Sequence, residues 1–262
     1  IMLGGVTVNV LLAFIIYAGI LMVWGEDKMP NHSVKNGVWV TDSLMFEIGL
    51  RDGDKVMAVN KDSIKYFEDI PKKILFSGGG HINIVRNGKD TDIVIPRSLI
   101  GQLVEKKKSK GRLFLPRMPA IMGDFDKEDT SNAKKAGLQY WDKIVKVDSV
   151  RINYLDEAAA YFGTKKDQKV ILTVERNGSE IVLPVQLDDD GKMNPTILSN
   201  KQFDSLGVLK IEHTDYGFFE AFPAGFNLAI TSLKDYIDQF KLILSPSTGA
   251  YKAVGGFKAM GS

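Results

Sequence analysis

The chain repeats itself. Displaced by 88 residues, the stretch Gly49-Leu50-Arg51-Asp52-Gly53-Asp54-Lys55-Val56-Met57-Ala58-Val59-Asn60 falls on Gly137-Leu138-Gln139-Tyr140-Trp141-Asp142-Lys143-Ile144-Val145-Lys146-Val147-Asp148. The correspondence continues with Ile64 on Ile152 and Tyr66-Phe67-Glu68-Asp69 on Tyr154-Leu155-Asp156-Glu157. After a slip of two residues, Arg86-Asn87-Gly88 answers Arg176-Asn177-Gly178. A unit this long has enough residues for its own core, so it reads as a duplicated domain and not as one turn of a solenoid. The 262 residues accommodate two such domains with chain left over.

Inside each copy the period of the apolar residues changes. Lys55 to Val59 alternates as a strand does, Phe67 to Leu75 has helical spacing, and His81 to Val85 alternates again. Asn87-Gly88 and Asn177-Gly178 are hairpin turns by composition, because both residue types tolerate positive φ. Gly49 and Gly137 come just after short helix-like stretches, Leu44 to Ile48 and Asn132 to Ala136, where a glycine cap is expected.

From Ile1 to Trp24 there is no charged residue, and 24 helical residues reach about 36 Å, the span of a hydrocarbon core. A transmembrane helix over 1–24 is therefore expected. Gly4, Gly5 and Asn9 are candidates for close packing and a polar contact with other helices. Glu26 and Asp27 precede Lys28, which places the repeated domains outside the cytoplasm. The first residue is Ile1 and the last two are Gly261-Ser262, so the sequence is expected to be a piece of a longer chain. At the other end, Val208 to Ile211 reads as a short strand. Phe226 to Leu244 reads as a helix with one apolar face, led by Tyr216, Phe218, Phe219 and Phe222. Its opposite face holds Thr231, Lys234, Asp235, Asp238 and Lys241, so it is expected to lie on a membrane surface, or else against the second copy.

Composition excludes several chemistries. A net charge of +2 is too small for a nucleic-acid protein, and the absence of cysteine removes disulfides, thiolate nucleophiles and zinc–thiolate sites. His32, His81 and His213 lie in unrelated stretches without His-Glu-x-x-His spacing, no Gly-x-Ser-x-Gly is present, and no residue is assigned to catalysis or to metal binding. The run Lys106-Lys107-Lys108-Ser109-Lys110-Gly111-Arg112 between the copies reads as a solvated hinge, a phospholipid-headgroup or nucleic-acid patch being the sharper alternative.

Gly-Leu-x-x-Gly-Asp-x-Val, then a strand, a short helix and a hairpin turning on Arg-Asn-Gly, resembles the PDZ domain in the circularly permuted form of bacterial envelope proteases. The second copy departs at Trp141, which stands where the first has Gly53. The resemblance implies an α+β chain with two small antiparallel barrels or sandwiches. It implies peptide binding by addition of a strand to a sheet edge beside a short helix. Matching positions are Gly37, Val38, Trp39 and Val40 for the edge and Ile70 and Ile74 for the helix wall. In the second copy they are Ala120, Ile121, Met122 and Gly123 for the edge and Ala158 and Phe162 for the wall. Each of these apolar residues taken singly is also a candidate for the core.

The whole order resembles the middle of the site-2 proteases of the regulator-of-sigma-E class: an apolar segment (1–24), a first PDZ-like domain (25–98), a basic linker (99–112), a second PDZ-like domain (113–190), a connecting strand region (191–214), an amphipathic helix (215–244) and a Gly-rich segment (245–262). Gly5-Val6-Thr7-Val8-Asn9 matches that family's Gly-Pro-x-x-Asn except for Val6, and Gly255-Gly256 falls where a loop leads into a further span. The resemblance implies a parent zinc metalloprotease of the bacterial inner membrane, its metal held elsewhere in the chain, with this segment inactive alone. The PDZ pair is implied to stand on the periplasmic side, filtering a single-span, anti-sigma-factor-like protein substrate. The alternatives are a membrane-anchored peptide-binding scaffold without enzymatic activity and a serine protease carrying tandem PDZ domains.

Overall fold

The computed structural model describes residues 2–106, 112–125, 130–194 and 197–245. It is a mixed α+β protein. The chain opens with helix α1 (Met2–Trp24) and strand β1 (Glu26–Lys28). The first repeat supplies β2 (Val38–Val40), α2 (Ser43–Glu47), β3 (Lys55–Val59), β4 (Asp62–Ser63), α3 (Asp69–Phe76), β5 (Gly80–Arg86), β6 (Lys89–Ile95) and α4 (Arg97–Lys106). After β7 (Phe114–Pro116) comes the second repeat with α5 (Asn132–Lys135), β8 (Lys143–Val147), β9 (Val150–Arg151), α6 (Leu155–Gly163), β10 (Lys169–Arg176) and β11 (Ser179–Gln186). The chain then makes α7 (Asn200–Ser205), β12 (Glu212–Thr214) and α8 (Phe218–Leu244).

The two repeats build the same sheet. Strand order is β4-β3-β5-β6 in the first and β9-β8-β10-β11 in the second, all antiparallel. The hairpins close on Asn87-Gly88 and Asn177-Gly178 with φ of 51° and 77° in both, the pair of positive values that matches the twist of the flanking strands. Gly49 and Gly137 end α2 and α5 at φ of 103° and 89°. Trp141 takes φ of 73° where Gly53 has 88°, so the turn keeps its shape although one copy carries a bulky side chain there.

Each repeat has its own core. Ile70, Ile74, Ile82, Ile84 and Ile100 are fully buried in the first, with Phe114 beside them. Ile144, Val147, Val170, Leu172 and Val174 fill the second. Leu99, Ile100 and Leu103 make α4 part of the first core, so residues 97–106 are a packed helix where a linker from residue 99 was expected. Residues 107–111 of that linker and 246–262 of the expected Gly-rich segment lie outside the described residues.

After the second repeat the chain returns to the first. Leu198, Phe203 and Leu209 enter the first core, and β12 pairs with β1 in the register Glu26↔Thr214 to Lys28↔Glu212. The expected strand over 208–211 is thus not a strand; the strand lies at 212–214, and Val208 and Ile211 pack against the first core.

Among the described residues, no helix is long and apolar enough to cross a membrane. The transmembrane helix expected over 1–24 is thus not supported: residues 2–24 form helix α1, but α8 runs back antiparallel along it and gives it a protein partner. A Cβ on Gly225 would lie 2.6 Å from the Ala18 backbone nitrogen, and the Phe14 and Phe226 rings are 4.8 Å apart. The close approach is therefore at Ala18 and Gly225. Asn9 is exposed on α1, while Gly4 and Gly5 lie on the same helix outside the described side chains. Further along, α8 meets the first repeat through the Lys72–Asp235 ion pair at 2.7 Å and through Leu242, which joins the first core. The support of α8 is α1 and the first repeat, not the second.

Candidate functional site: a groove between a strand edge and a helix

Strand β7 comes after the residues between the repeats, yet it completes the first one. It pairs antiparallel with β2 in the register Val38↔Pro116, Trp39↔Leu115 and Val40↔Phe114. The Leu113 carbonyl accepts from Thr41 N–H at 3.1 Å, and Arg117 N–H donates to the Gly37 carbonyl at 2.9 Å. The odd-numbered residues of this segment therefore bond to β2, and by the alternation of an antiparallel ladder the N–H and C=O of Phe114 and the C=O of Pro116 point the other way. Among the described strands none pairs with that second edge.

Facing it is α3. Ile70 and Ile74 anchor the helix in the core, which turns Pro71, Lys72, Leu75 and Phe76 outward. Between β7 and α3 lies a cavity of about 650 Å³, in the size range of ligand sites, with Phe67 and Leu103 in its lining. Phe114 is held by an edge-to-face contact with Phe67 at 5.9 Å, and Thr41 Oγ1 donates to the Arg112 carbonyl at 2.6 Å, so the start of the strand is fixed from two sides. Glu68 is engaged by the Met29 N–H at 3.2 Å.

The residues expected to form the grooves lie one layer deeper. Val38 and Val40 are buried in the strand beside β7, Val38 is bonded to Gly53 and Asp54, the Gly37 N–H donates to Val34, and Trp39 is half-buried. Ile70 and Ile74 are core residues. The cavity itself is lined by β7 and by the Pro71–Leu75 face of the same helix, one position round from the expected pair. In the second repeat Ala120, Met122, Gly123, Ala158 and Phe162 are buried, and Ile121 is half-buried. Residues Ile121 and Met122 are flanked by Lys143 on one side and Ile197 on the other, so Ile197 and Leu198 hold the place there that β7 holds in the first repeat. The signal for β7 was present in the sequence: Arg112-Leu113-Phe114-Leu115-Pro116 precedes Ala120-Ile121-Met122-Gly123 as an apolar segment of its own.

Among the described residues, no group of three or more His, Cys, Asp or Glu side chains could hold a metal ion. His213 is occupied by acids, Nδ1 with Asp27 at 2.5 Å and Nε2 with Asp215 at 3.0 Å, and His32 and His81 are exposed elsewhere. The described residues do not fit a zinc site.

No family model matches the chain. Over 108 residues it is 31% identical to a protein of Rickettsia conorii named as a candidate zinc metalloprotease. The match takes in 40% of this chain and 29% of that protein, so the chain corresponds to under a third of its relative's length.

The strand that edges the groove leads directly into the junction of the two repeats. Arg117 donates from Nε to Asp156 at 2.8 Å and from Nη2 to Glu157 at 2.9 Å, and its guanidinium lies 4.0 Å from the centre of the Tyr154 ring. Tyr154, Asp156 and Glu157 are at the start of α6, so one side chain joins the groove strand of the first repeat to the corresponding helix of the second. Asp156 is buried, and its Oδ1 has no hydrogen-bond partner. Nearby, burial pushes the Asp52 carboxyl above its usual range, although the Val40 N–H donates to it at 2.7 Å.

Proposed function

We propose that the chain is a tandem of two permuted PDZ-like domains that binds extended peptide and forms the substrate-gating part of a zinc metalloprotease. The single observation that carries this reading is the open edge of β7 facing the Pro71–Leu75 side of α3 across a cavity of about 650 Å³. An extended segment laid in that cavity would accept from the Phe114 N–H and donate to the Phe114 and Pro116 carbonyls, adding a third strand to β2 and β7. Pro116 has no N–H, so the added ladder ends there. The side chains of the segment would pack on Leu75, Phe76 and Leu103. The matching sheet order of the two repeats and the similarity to the Rickettsia conorii protein support the same reading.

The metal and the hydrolytic chemistry belong to other parts of the parent protein, and the role of this segment is exclusion: two folded domains admit a substrate whose outer part has been removed and hold off one whose outer part is intact. Peptide in the groove would add weak contact to that steric filter. The paired helices α1 and α8 leave Leu11, Ile15, Val23, Trp24, Phe218, Phe219 and Phe240 exposed, which supports placing this pair on the surface of the bacterial inner membrane with the repeats on its periplasmic side.

The test is made on the parent protein, with a single-span membrane substrate supplied either with its outer domain or without it. Cleavage of the trimmed form alone is expected, and cleavage of both forms after removal of residues 25–214. Equal cleavage of the two forms by the unmodified parent overturns the gating role.

A further inference from the structure

A groove made by a strand edge and a helix needs only two walls, and this one has three. Asp235 and Gln239 of α8 line the same cavity as Phe114 and Leu75. Asp235 is tied to Lys72 of α3 at 2.7 Å, which joins the third wall to the second. Nearer its start, at Gly225 and Phe226, α8 is held against Ala18 and Phe14 of α1. A ligand that needs more room than the cavity offers must therefore move α8 away from α3, and the contact that resists this is the Lys72–Asp235 pair. The two side chains keep 39% and 29% of their accessible surface, so the pair is weak, as a contact that opens and closes has to be.

We infer that α8 is a gate on the first-repeat groove, with Lys72–Asp235 as its latch. The inference rests on the reading of that groove as a binding site. Coupling is reciprocal: whatever draws α8 off α3 makes the groove easier to fill, and a filled groove releases α8. Because α8 also lies along α1, the state of the groove is transmitted to the helix pair.

The chain has no cysteine, so a single Leu75→Cys substitution gives a unique reporter inside the groove. Its rate of reaction with a maleimide dye measures access without any peptide, and so does not depend on whether peptide binds. Lys72→Glu or Asp235→Lys in that background is expected to raise the rate about two- to fivefold, the span that an exposed ion pair supports. The double exchange Lys72→Glu/Asp235→Lys should return the rate to its starting value. Added salt should raise the rate in the parent background and lower it in the single variants, where it screens the repulsion between two like charges. A control cysteine at Lys89, in the exposed β5–β6 turn, should react at one rate throughout, which separates opening of the groove from loss of fold. Unchanged rates in both single variants, or a double exchange as fast as the singles, would overturn the gate. A gate that behaves as expected in a chain that captures no peptide would leave the latch standing and remove the peptide reading instead.

Discussion

Asp54 holds Arg86 by two hydrogen bonds, from Nε and Nη2, each of 2.7 Å, while Arg86 Nη2 also donates to the Gly49 carbonyl at 2.7 Å. The second repeat makes the same fastening: Asp142 takes both bonds from Arg176 at 2.6 Å, and Arg176 Nη2 reaches the Gly137 carbonyl at 2.8 Å. The Asp of Gly-Leu-x-x-x-Asp and the Arg of Arg-Asn-Gly recur together because each pair ties the turn after a short helix to the far end of the hairpin.

Removing either carboxylate should destabilise its repeat. Asp54 and Asp142 are almost wholly buried while their arginines are partly exposed, so Asp54→Ala and Asp142→Ala are expected to cost about 2–4 kcal/mol each, at or below the usual range for breaking a buried pair. Urea unfolding measures this. A loss below about 0.5 kcal/mol in both would show that the repeated pair contributes little to the fold.

Arg117 poses a different balance. Arg117→Leu strands the buried Asp156 carboxylate, whose Oδ1 already lacks a partner. The single variant should lose about 3 kcal/mol or more, whereas Arg117→Leu/Asp156→Leu should recover much of that loss, since the unpaired charge goes with its partner. A double variant as unstable as the single would mean that the arginine acts by packing on Tyr154 instead.

The β1–β12 contact depends on pH through His213. Its hydrogen bond to Asp27, and then that to Asp215, raise the imidazole above its ordinary 6.5. The same bond to His213, and after it the bond to Lys201, lowers Asp27 below its ordinary 3.8. The histidine's contribution is complete below 6.5 and is lost as pH rises through the raised value; that of Asp27 is complete above 3.8 and is lost as pH falls through the lowered one. The contact should therefore be firmest between these limits. Nuclear magnetic resonance titration of His213 should give a midpoint above 6.5, falling back in Asp27→Asn. An unshifted midpoint would contradict the bond.

Trp141→Gly should leave the second repeat as stable or raise it by about 0.5–1 kcal/mol. The φ of 73° costs a tryptophan strain that glycine does not have, against which stands only a half-exposed contact with the Tyr140 ring at 5.0 Å. Thermal unfolding decides the sign.

Much of the fold was legible because its signals are local. The strand Lys55–Val59 is read from its period, the hairpins from Asn-Gly, and the ends of α2 and α5 from Gly49 and Gly137. The groove was not, because its edge strand pairs with β2 across more than seventy residues of chain and is three residues long with a proline at its end. Register over such a distance leaves no local trace, so the deeper strand at Val38–Val40 took the edge's place. Ile70 and Ile74 were recognised as one face of a helix, but apolar spacing marks the face that is buried, and the groove lies on the neighbouring one. For the same reason α8 read as a helix needing an apolar support, while the identity of that support, Ala18 and Phe14 of α1, depends on how the whole chain returns to its beginning.

The most direct test is to map where peptide binds. Sequences enriched from a random heptapeptide phage library are added to the isotope-labelled chain, and the backbone amide shifts are tracked. The account predicts that Phe114, Leu115 and the Pro71–Phe76 face of α3 respond, and that Leu75→Arg or N-methylation of alternate peptide amides abolishes the effect. Enriched peptides whose shifts fall elsewhere and survive Leu75→Arg, or a library that yields none, would contradict strand addition at β7.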